Sequence, residues 1–257
     1  MPGPTRVCLL ACLALNAMPL ARAAEPAPRS GLSARELLDH VDDLYRGASA
    51  HGRMSMKVVT EHWTREMKME FWSLGKDRSL VRILEPKKEK GTATLKSGDN
   101  IWNFLPKVSR VIKVPSSMMG GSWMGSHFTN DDLVKESRMA DDYDFQVTFE
   151  GARGGDEVVE ITCVPKPTAV VVWGKVVVVL RRADAIPLRM DYFDEDLAPA
   201  RSLVFDGVRV LGGRTMPTQM RMQPQGKPGE ATEVRYEQIE FDVPLEEGLF
   251  SLRSLQR

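Results

Sequence analysis

The chain has 257 residues, and its 35 Lys+Arg match its 35 Asp+Glu, so the formal net charge is zero. With 42% hydrophobic and 27% charged residues, it has the composition of a folded protein rather than a disordered one. Charge balance excludes the basic excess of a nucleic-acid binder, and the most basic run, Lys87-Lys88-Glu89-Lys90, is interrupted by an acid and reads as solvated turn.

Residues 1–23 read as an export signal. Arg6 supplies the positive start, Val7 to Leu15 the short apolar stretch, and Ala21-Arg22-Ala23 the small-x-small cleavage pattern. The apolar stretch is too short for a spanning helix, which needs about 20 residues. A lipobox-like Leu9-Leu10-Ala11-Cys12 is the competing reading. It would lipidate Cys12 but leave a signal without most of its apolar core. Cleavage after Ala23 is preferred. Residues 24–32 read as a Pro-rich linker, and 33–257 as one domain. Only Cys163 follows the signal, so no internal disulfide is expected. It sits in a Val/Ile/Thr strand pattern and reads as a buried small hydrophobe rather than a reactive thiol.

One helix opens the domain. Ser33 and Glu36 form a capping box, Leu37, Leu38, Val41, Leu44 and Tyr45 share a face, and Gly47 ends it. Then the period changes to two. Met54, Met56 and Val58 alternate with Ser55 and Lys57; Met67, Met69 and Phe71 alternate with charged residues; Val81 and Ile83 flank Arg82. Each is a strand with one apolar and one charged face. Further strands are expected at 92–96, 101–105 and 109–114, joined by hairpin-length turns and therefore antiparallel. Residues 115–142 break the pattern: Gly and Ser are interleaved with Met, Trp and Phe, and Thr129 to Leu133 looks like a helix start. Strands resume at 143–150, 157–164, 170–180, 188–193, 200–205, 208–211, 215–222, 231–236 and 238–242, with tight turns at Asp206-Gly207 and Gly212-Gly213. The inventory predicts a mainly β fold: a single strongly curved antiparallel sheet, a half-closed barrel, with helices covering its concave apolar face.

No catalytic or metal constellation stands out. His40, His51, His62 and His127 have no zinc spacing, and there is no nucleophile elbow or phosphate-binding glycine loop. The acids at 141–142 and 191–196 lack a calcium-loop pattern. No enzyme activity and no cofactor are expected. Methionine is the unusual feature: there are 14, and all but Met1 and Met18 lie beyond residue 23. Methionine suits surfaces that repack around variable apolar guests. The expected cavity wall is Met54, Met56, Met67, Met69, Phe71, Val81, Ile83, Trp102 and Phe104. The expected lid or rim is Met118, Met119, Trp123, Met124 and Phe128, where Gly permits movement.

Asp99 to Lys107 (DNIWNFLPK), Gly125 to Leu133 (GSHFTNDDL) and Pro244 to Leu252 (PLEEGLFSL) resemble the outer membrane lipoprotein-sorting, LolA-like, family. The resemblance runs from about residue 50 to the end; His127 stands where the family pattern expects an acid. It implies a periplasmic half-barrel that carries acyl chains of lipoproteins or other lipids. Its partners would be an inner-membrane transporter and an outer-membrane acceptor, with no nucleic acid, and the carrier itself a monomer. The competing function is a periplasmic adaptor of an RND-type export system that carries no lipid.

Overall fold

The computed structural model describes residues 31–135 and 139–256. The expected signal, Cys12 and most of the linker lie outside them. The opening helix α1 (Ala34–Arg46) starts and stops where its caps dictate. The Ser33 N–H donates to Glu36 Oε2 at 2.8 Å and Glu36 N–H donates to Ser33 Oγ at 3.3 Å. Gly47, at φ 59°, donates its N–H to Asp43 O. Its buried Leu38, Val41 and Leu44 form the face that meets the sheet.

The strands run β1 (Ser49–Val59), β2 (Thr64–Leu74), β3 (Arg78–Glu85), β4 (Ala93–Ser97), β5 (Asn100–Leu105) and β6 (Arg110–Lys113). They continue as β7 (Tyr143–Arg153), β8 (Asp156–Pro165), β9 (Lys175–Arg181) and β10 (Pro187–Phe193), then β11 (Pro199–Leu211), β12 (Arg214–Pro224) and β13 (Ala231–Phe241). All belong to one antiparallel sheet in the order 6-5-4-3-2-1-13-12-11-10-9-8-7. The sheet curls without closing, because β6 and β7 are its two edges. That order has a consequence for the connection between them. Residues 114–142 must pass from one edge to the other, and the described ones, 114–135 and 139–142, lie on the concave side. They carry α2 (Asn130–Lys135) and α3 (Met139–Asp142).

Register decides which residues face inward. Met54 pairs with Met69 and Met56 with Met67; Met69 pairs with Ile83 and Phe71 with Val81. These share the concave face, as the alternation predicts. Val81 then pairs with Thr94, and Thr94 with Asn103. The inward residue of β5 is therefore Asn103, and Trp102 and Phe104 point outward. There they join Leu80, Leu95 and Ala93 under Phe250 and Leu255 of the C-terminal tail, which ends in α4 (Leu252–Leu255). Helices thus cover both faces: α1 and the 114–142 connection inside, the tail outside at one end.

Three local expectations change. Asp206-Gly207 is not a turn: β11 runs straight through, with Gly207 at φ 65° opposite β12. Residues 231–236 and 238–242 form one strand, β13, which absorbs a register shift opposite Arg53/Met54. The 170–180 strand begins only at Lys175, because Gly174 lies against the Asp194 carbonyl, where an added Cβ would sit 2.4 Å away.

Cys163 is fully buried in the cluster of β7–β12, and burial pushes its thiol up to about 12. Tyr143 in the same cluster is pushed up as well, first by burial. The unfolded thiol keeps its ordinary value near 9.0. Above about pH 9 the unfolded chain therefore releases a proton that the folded chain retains, and stability falls with pH, by up to about 1.4 kcal/mol per unit for this group. Urea unfolding between about pH 8 and pH 11 should show this decline, and Cys163→Val should make it shallower.

Candidate ligand cavity and its cover

A cavity of about 180 Å³ lies between α1, the concave face and the crossing segment. An apolar cavity of about 150 Å³ is enough to bind benzene. Leu38, Val41 and Tyr45 line it from α1; Met54, Met69, Phe71 and Val81 from β1–β3; Met190, Phe205 and Met220 from β10–β12; Val234 and Tyr236 from β13. Trp123, Phe128, Leu133 and Met139 close it from the crossing segment.

Local sequence shapes this wall. A Cβ at Gly52 would sit 2.8 Å from the Phe71 ring and 2.3 Å from Gln238 O, so only glycine lets Phe71 lie across β1. Phe71 meets Tyr236 edge-on at 5.6 Å, Tyr236 meets Tyr45 at 5.4 Å, and Tyr45 Oη donates to Pro217 O at 3.1 Å. This aromatic row ties α1 to β2, β12 and β13.

One end of the cavity is polar. Ser73 and Ser79 face each other across β2 and β3. Beside them Arg46 Nε donates to Asp42 at 2.9 Å, while Lys76 lies 3.4 Å from both Asp39 and Asp42. Burial, with Asp42 next to it, raises the neighbouring Asp43 carboxyl above its ordinary range. Acids and bases offset each other there.

The crossing segment is seated rather than draped. Trp123, 5% exposed, donates its indole N–H to Thr94 Oγ1 at 3.1 Å. Asn130 Nδ2 donates to Met118 O and Gly121 O, both at 3.1 Å. Thr129 and Asp132 cap α2 reciprocally at 2.7 and 3.2 Å. A buried ion pair holds this segment to the far wall. Arg201 of β11 donates to Asp132 Oδ1 at 2.5 Å and to His127 O at 2.9 Å, and its guanidinium lies 4.2 Å from the Trp173 ring and 4.5 Å from Tyr192. His127 reaches Thr232 Oγ1 at 2.8 Å and Glu230 at 3.1 Å, so a glutamate from the β12–β13 turn stands beside it.

The structure brings six of the residues named from sequence to the cavity: Met54, Met69, Phe71, Val81, Trp123 and Phe128. Met56, Met67 and Ile83 share the concave face but are sealed in the core, at 2% exposure or less. Trp102 and Phe104 lie on the opposite face. In the cover, Met124 packs on the inner core, Met119 is half-buried and Met118 is exposed. Sequence reasoning missed the lining from β10–β13. Their alternation was legible, but nothing local says that β13 lies beside β1. The same holds for α1, whose apolar face was found without its counterpart. Among the described residues no group of three His, Cys, Asp or Glu could hold a metal ion.

This curled half-barrel is a fold shared with solved structures of the outer membrane lipoprotein-sorting and LolA-superfamily type. An outer membrane lipoprotein-sorting protein domain from Vibrio parahaemolyticus superposes with a TM-score of 0.76 at 25% identity, covering 87% of this chain and 98% of its own. A DUF1329 family protein from Desulfovibrio piger gives 0.78 at 22% identity, covering 86% and 97%. The LolA superfamily protein NE2245 from Nitrosomonas europaea gives 0.73 at 18% identity, covering 87% and 99%. No curated protein matches the chain. A family model described as "Uncharacterized protein" matches residues 75–257, and the chain belongs to that family.

Proposed function

We propose that this protein is a periplasmic carrier that encloses acyl chains of lipoproteins or lipids in its apolar cavity and shuttles them towards the outer membrane. The observation that carries the reading is the hollow itself. About 180 Å³ is left unfilled beneath the concave face, bordered by Met54, Met69, Met190 and Met220. Four methionines give the wall flexible side chains that can move aside for a longer guest. Each methylene withdrawn from water contributes about 0.8 kcal/mol. A handful of methylenes therefore suffices for binding that a membrane or an acceptor protein can still reverse. No step of this activity requires bond chemistry. The family likeness supports the same reading. The Vibrio protein is named for lipoprotein sorting.

The test is native mass spectrometry of the protein isolated without detergent from a Gram-negative periplasm. A carrier emerges partly loaded with acyl-bearing species that organic solvent removes. Uniformly unloaded protein that also fails to take up added lipid would refute the proposal and favour the adaptor.

A further inference from the structure

Successive antiparallel hairpins place the β1–β2, β3–β4 and β5–β6 turns at one end of the half-barrel. Two of these turns touch: a Cβ at Gly91 would lie 3.8 Å from the Pro106 ring. Their surface is unusual in two ways. It is basic although the chain is neutral overall. Lys87, Lys90, Lys107 and Arg110 are all exposed and have no ionic partner among the described residues. Of the acids of the β3–β4 hairpin, Glu89 is engaged by Arg65 and Glu85 by Lys68, and the β1–β2 turn adds one exposed acid, Glu61, against these four cations. The surface is also apolar. Val108, in the β5–β6 turn, is 59% exposed; Leu105 just before the turn is 39% exposed and Ile112 on β6 47%.

Charges on an edge strand such as β6 have an ordinary explanation, protection against edge-to-edge pairing. That explains Arg110 but not the uncovered Leu105, Val108 and Ile112 beside it. Interleaved cations and protruding apolar side chains match a lipid interface, where phosphates meet the former and the acyl boundary the latter. We propose that this rim docks the protein on an anionic phospholipid bilayer. The inference stands on the rim alone and does not depend on what the cavity holds.

The experiment is co-sedimentation of the full chain with vesicles of phosphatidylcholine alone or mixed with phosphatidylglycerol. Binding should require phosphatidylglycerol and weaken as salt screens the charges. The double variant Lys107→Glu/Arg110→Glu should lower the partition constant at least roughly tenfold. Val108→Asp should weaken it by a smaller factor, and neither should change native-mass-spectrometry loading. Equal partition into both vesicle types, or binding indifferent to the double variant, would overturn the proposal. So would a dimer in light scattering that the double variant dissociates without any vesicle binding, because the rim would then serve a second copy of the chain.

Discussion

Arg201→Met should lower the free energy of unfolding by about 3–5 kcal/mol, the cost of leaving one member of a buried ion pair without its partner. The side chains of Arg201 and Asp132 are only 5% and 9% exposed, so solvent offers Asp132 little relief. The loss is local in origin. Arg201 joins β11 to the crossing segment through Asp132 and the His127 carbonyl, and Asp132 also caps α2. The cover should therefore loosen before the sheet does. Amide exchange of residues 119–134 should accelerate well ahead of that in β1–β3. Adding Asp132→Asn to Arg201→Met should recover part of the loss, since a neutral amide is cheaper to leave unpaired than a carboxylate. If exchange rises uniformly over the sheet, the pair is a core strut and not a fastening of the cover.

Local signals in the sequence carry the strands and the first helix, because capping and alternation are properties of neighbouring residues. Ser33, Glu36 and Gly47 set α1 to within a residue, and the Met-rich alternation puts Met54, Met69, Phe71 and Val81 on the right face. What failed depends on register. Trp102 and Phe104 alternate as cleanly as Met67 and Met69, yet pairing of Thr94 with Asn103 turns them outward. A period of two says that two faces differ, not which one is concave. Depth along a strand is equally invisible. Met56 and Met69 share a face, but only Met69 borders the hollow. The gap at 115–142 was legible as a break in pattern. The strand order makes the β6-to-β7 connection run from one edge to the other, and the packing of Trp123, Phe128 and Leu133 puts it on the concave side.

Filling the hollow should abolish binding while leaving the fold in place. Val81 is 8% exposed, lies on the concave face of β3 and borders the cavity beside Phe71. A tryptophan there would project into space that a guest needs. The substitution should weaken capture of an acyl probe by at least roughly tenfold, while overpacking typically costs about 1–3 kcal/mol of stability. Val234→Phe on β13 approaches the same space from the neighbouring wall and should act in the same direction, so loss of fold in one variant does not decide the matter. Val81→Ala enlarges the hollow and should bind at least as well as the parent. The decisive measurement is the titration of the parent, Val81→Trp, Val234→Phe and Val81→Ala with a fluorescent fatty-acyl probe, each variant checked for its unfolding midpoint. Affinity that falls with either filled variant and holds with the enlarged one is the predicted result. Folded variants that all bind as the parent does, or a parent that takes up no probe, would contradict enclosure of acyl chains beneath the concave sheet.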